Sequence, residues 1–139
     1  MEFFKQIDFS MDVKAASTRL LVSDITNCCR FYRDLLGLTV IVESPSYAEF
    51  EAAGQTISLF HQEEMASIIH TSDKPAIVDG QDKTVLIFTI TDLDGIYSQI
   101  KQSGVHFDEP PTQNSDFNLK IAYCRDPEGN LIGLFENLM

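Results

Sequence analysis

Few side chains in this 139-residue sequence could support bond-making chemistry, and their spacing limits what kind. The three histidines, His61, His70 and His106, are scattered. No HxxH, HExxH or CxxC spacing gathers metal donors on one element. A catalytic divalent metal needs about three imidazole or carboxylate ligands and an open position. Glu49 and Glu51 share a strand parity and could point to one face, but two carboxylates without imidazole fit a solvated strand face better. No Ser-His-Asp logic is readable, so acid–base catalysis would have to rest on Tyr, Glu or Asp. Cys28, Cys29 and Cys124 are an odd set with two adjacent members, which suits reduced thiols and not a disulfide framework. Cys124 adjoins Arg125, a neighbour that could favour a thiolate, yet no base is identifiable beside it.

The elements that would position such groups come from an internal repeat. Gly54-Gln55-Thr56-Ile57-Ser58-Leu59-Phe60 is nearly copied by Gly129-Asn130-Leu131-Ile132-Gly133-Leu134-Phe135. Each is a turn glycine followed by a strand with one apolar parity, and each therefore buries one face. Upstream, Leu20 to Ile25 is echoed by Phe88 to Leu93, in both cases an apolar strand ending at an Asp that can cap a helix. Apolar residues then recur at helical spacing, Ile25, Cys28, Cys29, Tyr32, Leu35 and Leu36 before Gly37, and Leu93, Ile96, Tyr97 and Ile100 before Gly104. Cys28 and Cys29 thus read as small core residues. Further strands are expected over Leu38 to Glu43 and Tyr47 to Ala53, and over Val105 to Glu109 and Leu119 to Arg125. The predicted class is α+β: two βαβββ modules, about 17–62 and 84–139, forming an open, curved mixed sheet with helices outside. Residues 63–83, with Pro75 and Gly80, link them and could supply a lid over the cleft.

Composition fits one domain over 1–139, with 44% apolar and 10% aromatic residues available for a core. No apolar run approaches the length of a membrane span. Met1 to Phe9 carries both charge signs and lacks a signal-peptide core, so a cytoplasmic location is expected. Within Met1 to Ala16, Phe3, Phe4, Ile7 and Phe9 could pack on the core or on a partner. Acidic residues outnumber basic ones 21 to 10, for a net charge of −11. That surface repels phosphate backbones and argues against nucleic acid. It draws in cationic ligands, or serves solubility alone.

Val22-Ser23-Asp24, Phe31-Tyr32-Arg33-Asp34-Leu35-Leu36-Gly37-Leu38 and Asp126-Pro127-Glu128-Gly129-Asn130-Leu131-Ile132 resemble the vicinal oxygen chelate superfamily. That group includes glyoxalase I, fosfomycin-resistance enzymes, extradiol dioxygenases and bleomycin-resistance proteins. The resemblance covers about residues 17 to 138. It implies the fold and leaves the reaction open. Pro127 and Gly129 serve a turn before the last strand. In the metal enzymes of this group, ligands come from the start of the first strand and the middle of the last strand of each module. Here those positions carry Ser17 and Ser58, then Val85 and Gly133, the last where enzymes often carry Glu. No metal and no other cofactor is expected.

Strand alternation assigns Ser17, Arg19, Leu21, Thr56, Ser58 and Phe60 to the cleft face of the first module. It assigns Val85, Ile87, Thr89, Leu131, Gly133 and Phe135 to that of the second, with Tyr47, Glu49 and Tyr123 as additions. The expected ligand site comprises Arg19, Leu21, Tyr47, Glu49, Ser58, Phe60, Ile87, Tyr123 and Phe135. An apolar and aromatic wall with sparse polar groups suits a small organic ligand. Arg19 requires a partner, either an internal acid such as Glu49 or an anionic ligand group. The expected function is metal-free binding of a drug-like or cationic aromatic molecule. Resemblance to the bleomycin-resistance branch, acidic proteins that sequester a drug between two subunits, implies antibiotic resistance and a homodimer. The alternatives are a lyase or dioxygenase relative with unconventional ligands or metal-free acid–base chemistry, and a protein–protein interaction module.

Overall fold

Each repeated heptapeptide forms the strand against which the rest of its module is laid. A computed structural model describes residues 10–139. Phe3, Phe4, Ile7 and Phe9 lie outside the described residues. The first module runs β1 (Ser17–Val22), α1 (Ile25–Arg30) continued by a π-helical turn (Phe31–Leu35), β2 (Thr39–Ser44), β3 (Tyr47–Ala52) and β4 (Gln55–His61). After α2 (Gln62–Ile68) the second module repeats it as β5 (Leu86–Thr89), α3 (Leu93–Gln102), β6 (Thr112–Asn114), β7 (Leu119–Arg125) and β8 (Leu131–Asn137). The two sheets have equivalent orders, β1-β4-β3-β2 and β5-β8-β7-β6. In each, the first strand is parallel to the repeated strand and the other pairs are antiparallel. This is the α+β fold of two βαβββ modules with open mixed sheets.

Local chemistry sets the helix limits. The Asp24 carboxylate accepts from the Asn27 N–H at 3.0 Å, and Asp92 accepts from the Gly95 N–H at 3.3 Å. Gly37 and Gly104 follow the helices at φ +72° and +99°, conformations that a side chain would oppose. One parity of the strands then faces the helices. Val22, Ala48, Phe50 and Leu59 from the first sheet join Ala122, Cys124, Ile132 and Leu134 from the second in one contiguous buried cluster. Ile25, Cys28, Cys29 and Tyr32 close it from α1 and its extension, and Leu93 and Ile100 from α3. Burying a large apolar side chain of this kind contributes about 1.5–3 kcal/mol.

One expected strand does not form. Val105 to Glu109 forms no strand, and pairing with β7 begins only at Thr112. Phe107 is drawn into the core, its ring 4.8 Å from that of Tyr97. Pro110 and Pro111 then lack the N–H groups that a ladder needs. His106, expected to begin a strand, sits exposed on this loop beside Asp108 at 2.9 Å. The segment after β4, read as a linker, opens with α2.

The modules are tied through the turn between β7 and β8. Asp126, 5% exposed, accepts from the Tyr32 hydroxyl at 2.7 Å and from the Glu128 and Asn130 N–H groups at 2.9 Å each. The Asn130 side-chain amide adds a bond at 2.8 Å, and the Cys28 thiol lies 3.8 Å away. Two residues on, the Glu128 carboxylate accepts from the Ser23 and Asp24 N–H groups at 2.8 and 3.1 Å, at the N-terminus of α1. It supplies negative charge where free N–H groups converge.

Tyr32→Phe removes a donor from a buried carboxylate and should lower unfolding free energy by about 1–3 kcal/mol. Glu128→Ala, at an exposed cap, should lower it by about 1 kcal/mol. Urea denaturation of both variants checks the ranking; equal losses would mean that burial of Asp126 confers no special dependence on its donors.

Candidate functional site

With one strand parity buried under the helices, the alternate residues occupy the opposite, outward faces of the sheets. Cross-strand register arranges them in rows. On the first sheet these rows are Arg19–Ser58–Glu49 and Leu21–Phe60–Tyr47. On the second they are Ile87–Gly133–Tyr123 and Thr89–Phe135–Ile121. Arg19, Leu21, Tyr47, Glu49, Ser58 and Phe60 thus share one face, and Ile87, Tyr123 and Phe135 share the other. Among the described residues no strand pairing joins the two sheets, and β1 and β5 are each an edge strand. Large apolar side chains on these faces remain in solvent, with Leu21 40%, Ile87 50% and Tyr123 47% exposed.

The first face is organised around Arg19. Its guanidinium carbon lies 5.1 Å from the centre of the Phe60 ring and 5.6 Å from that of Tyr47. Its Nε donates to the hydroxyl of the buried Ser58 at 3.4 Å. Glu49, the acid considered as its partner, instead accepts from the Tyr47 hydroxyl at 2.8 Å. Glu51 is exposed and accepts from the Gly54 N–H, holding a hairpin turn. The aromatic support of Arg19 is absent from the sequence reading, although the pairing of Tyr47 with Phe60 across adjacent strands is a signal for it.

On the second face, Tyr123 and Phe135 make an edge-to-face pair with ring centres 6.2 Å apart and planes at 84°. Both rings lie over Gly133. A Cβ there would stand 2.9 Å from Phe135 Cε1 and 3.1 Å from Tyr123 Cε1. Aromatic edges therefore fill the space that a longer side chain at this position would need.

A separate recess of about 1130 Å³ lies between the Asp34–Leu38 segment and the β5, α3 and β8 side of the second module. Its walls include Leu35, Leu36, Phe88, Ile96 and Ile100, which belong to or border the core, and none of the nine residues expected to bind ligand.

The cysteines are buried and free. Loss of hydration, then the nearby Asp126 charge, pushes the Cys124 thiol up to about 11. Burial first and Asp126 second raise Cys28 and Tyr32 further, and burial raises Cys29. Arg125 does not activate Cys124, because its guanidinium is held by Asp82 at 2.7 Å. The thiolate considered from sequence is corrected to a buried thiol.

Residues 14–134 match the family profile described as Glyoxalase/Bleomycin resistance protein/Dioxygenase superfamily. The chain belongs to that superfamily. It is 31% identical to the uncharacterized protein YraH of Bacillus subtilis (strain 168) over 128 residues, 91% of this chain and all of that protein. It is 32% identical over 116 residues to virulence protein STM3117 of Salmonella typhimurium (strain LT2), covering 81% of this chain and 76% of that one. Among solved structures, a glyoxalase/bleomycin resistance protein/dioxygenase from Nocardioides superposes with a TM-score of 0.75 at 20% identity, over 95% of this chain and 87% of the other.

The divalent ion used by the superfamily's metal enzymes does not fit the residues here. Ser17, Ser58, Val85 and Gly133 offer two neutral hydroxyls, an isopropyl group and a hydrogen atom. Among the described residues, no group of three or more His, Cys, Asp and Glu side chains is placed to hold a metal. No helix among them is long and apolar enough to cross a membrane.

Gly133→Ala forces the two rings aside and should destabilise the fold by about 1 kcal/mol, with a changed near-ultraviolet aromatic signal. Because the Cys124, Cys28 and Tyr32 pKa values are raised on folding, their contribution is complete below the unfolded thiol value of about 9. It falls as pH rises, for Cys124 across the interval up to about 11. Melting temperature should therefore decline above pH 9 in wild type and decline less in Cys124→Ala; parallel curves would refute the assignment.

Proposed function

We propose that this protein is a metal-free, homodimeric binder that holds a small organic ligand against the outward sheet faces. The observation that carries this reading is the aromatic pair over Gly133, where the superfamily's enzymes often place a carboxylate ligand. Arg19, Tyr47, Glu49 and Ser58 would orient the ligand, while Leu21, Phe60, Ile87, Tyr123 and Phe135 would bury it. The separation of the two faces favours a dimer, since a second copy can bring one chain's first face opposite the other's second face. Sequestration of a drug-like molecule, as in bleomycin resistance, is the functional analogue. The three free thiols suit a reducing compartment such as the cytoplasm.

The test is a thermal-shift titration of the purified dimer with zinc, nickel and manganese salts beside a library of aromatic drugs. Metals should leave the melting temperature unchanged. A true ligand at a hundredfold excess over Kd should add about 2.7 kcal/mol of stability. Arg19→Ala should weaken that ligand by about tenfold, the size of one charged hydrogen bond. Saturable one-to-one metal binding, or a monomer in sedimentation, would overturn the proposal.

A further inference from the structure

We infer that the ligand taken by these sheet faces is an organic acid, an aromatic ring bearing a carboxylate that the Arg19 guanidinium grips. This inference rests on the ligand-binding reading of the two faces and narrows it to one chemical class.

The argument starts from where the cations of this chain go. With 21 acids for 10 bases, an arginine has acids to choose from. Arg33 is held by Asp34 and Glu43, each at 2.7 Å, and Arg125 by Asp82 at the same distance. Arg19, exposed like Arg30, shares with it the lack of an ion pair among the described residues, but Arg19 alone of the two stands on an outward sheet face. Glu49, two strands away in the same row, is bonded to the Tyr47 hydroxyl and forms no ion pair with Arg19. Arg19 is supported instead by two aromatic rings and one serine hydroxyl.

That support has a chemical consequence. Ring faces attract a guanidinium without using its N–H groups. Ser58 takes the Nε hydrogen alone. The Nη groups carry four of the five guanidinium hydrogens, and they have no acceptor among the described residues. A cation held in place with its fork open matches a carboxylate, which accepts two parallel N–H bonds. Around it, Leu21, Phe60 and Tyr47 supply an apolar and aromatic bed for a ring. The negative Glu49 at the far end of the row sets the ligand's direction, since an acid group placed there would meet like charge. The overall charge of −11 does not argue for a cationic ligand at this point, because the local group that lacks a partner is itself a cation.

The experiment is a titration of the full-length, nitrogen-labelled dimer with three probes of similar shape, naphthylacetate, naphthylacetamide and naphthylmethylamine, followed by amide resonances of β1, β3, β4, β7 and β8. The acid should bind at least about tenfold more tightly than the amide or the amine. Arg19→Met, which keeps the bulk and removes the charge, should erase that preference, and Arg19→Lys should restore part of it. If the amide or amine binds as tightly as the acid, or Arg19→Met leaves the preference intact, the organic-acid assignment falls while binding at the sheet faces stands. If no probe moves any resonance of either face, both fall.

Discussion

Asp126 is the constraint on which the arrangement of this molecule depends. A carboxylate 5% exposed is costly to bury unless its oxygens are fully bonded. Here the required donors come from both modules, Tyr32 and Cys28 from the first and the backbone and side chain of its own turn from the second. The β7–β8 turn cannot shift relative to α1 without stripping that carboxylate. Glu128 acts with it by bonding to the start of the same helix. Because β8 leaves this turn directly, the positions of Gly133 and Phe135 relative to the first module are fixed at the same stroke.

The same geometry separates what holds the fold together from what lines its outward faces. The contacts described between the modules lie in the contiguous cluster from Val22 to Leu134, in the Asp126 network and in the bonds of Glu128 to Ser23 and Asp24. The outward faces contribute little to that core, as the exposure of Leu21, Ile87 and Tyr123 indicates. The fold and the site are therefore governed by opposite parities of the same strands.

Much of this was legible because local rules agreed with one another. The repeated heptapeptides, the Asp caps at Asp24 and Asp92, and the glycines at 37 and 104 each mark an element that forms where the pattern places it. Parity alone put Arg19, Ser58 and Phe60 on one face and Gly133 and Phe135 on another. The exceptions have a common cause. Val105 to Glu109 alternates as a strand does, but Phe107 finds Tyr97 and the core instead of a neighbouring strand. Cys124 adjoins Arg125 in sequence, yet alternation sends the thiol inward and the guanidinium out to Asp82.

The sequence by itself determined the modules, the buried parity and the lack of ligand-type side chains at the four family positions, since each depends on residue type and short-range spacing. Tertiary structure alone decided the partners. It set Tyr32 against Asp126, ninety-four residues apart, laid Arg19 over Tyr47 and Phe60 and bonded Glu49 to the Tyr47 hydroxyl. It also closed two rings over Gly133. These contacts join strands or modules whose distances are fixed only when the sheets form and the helices close on them, so no periodicity along the chain encodes them.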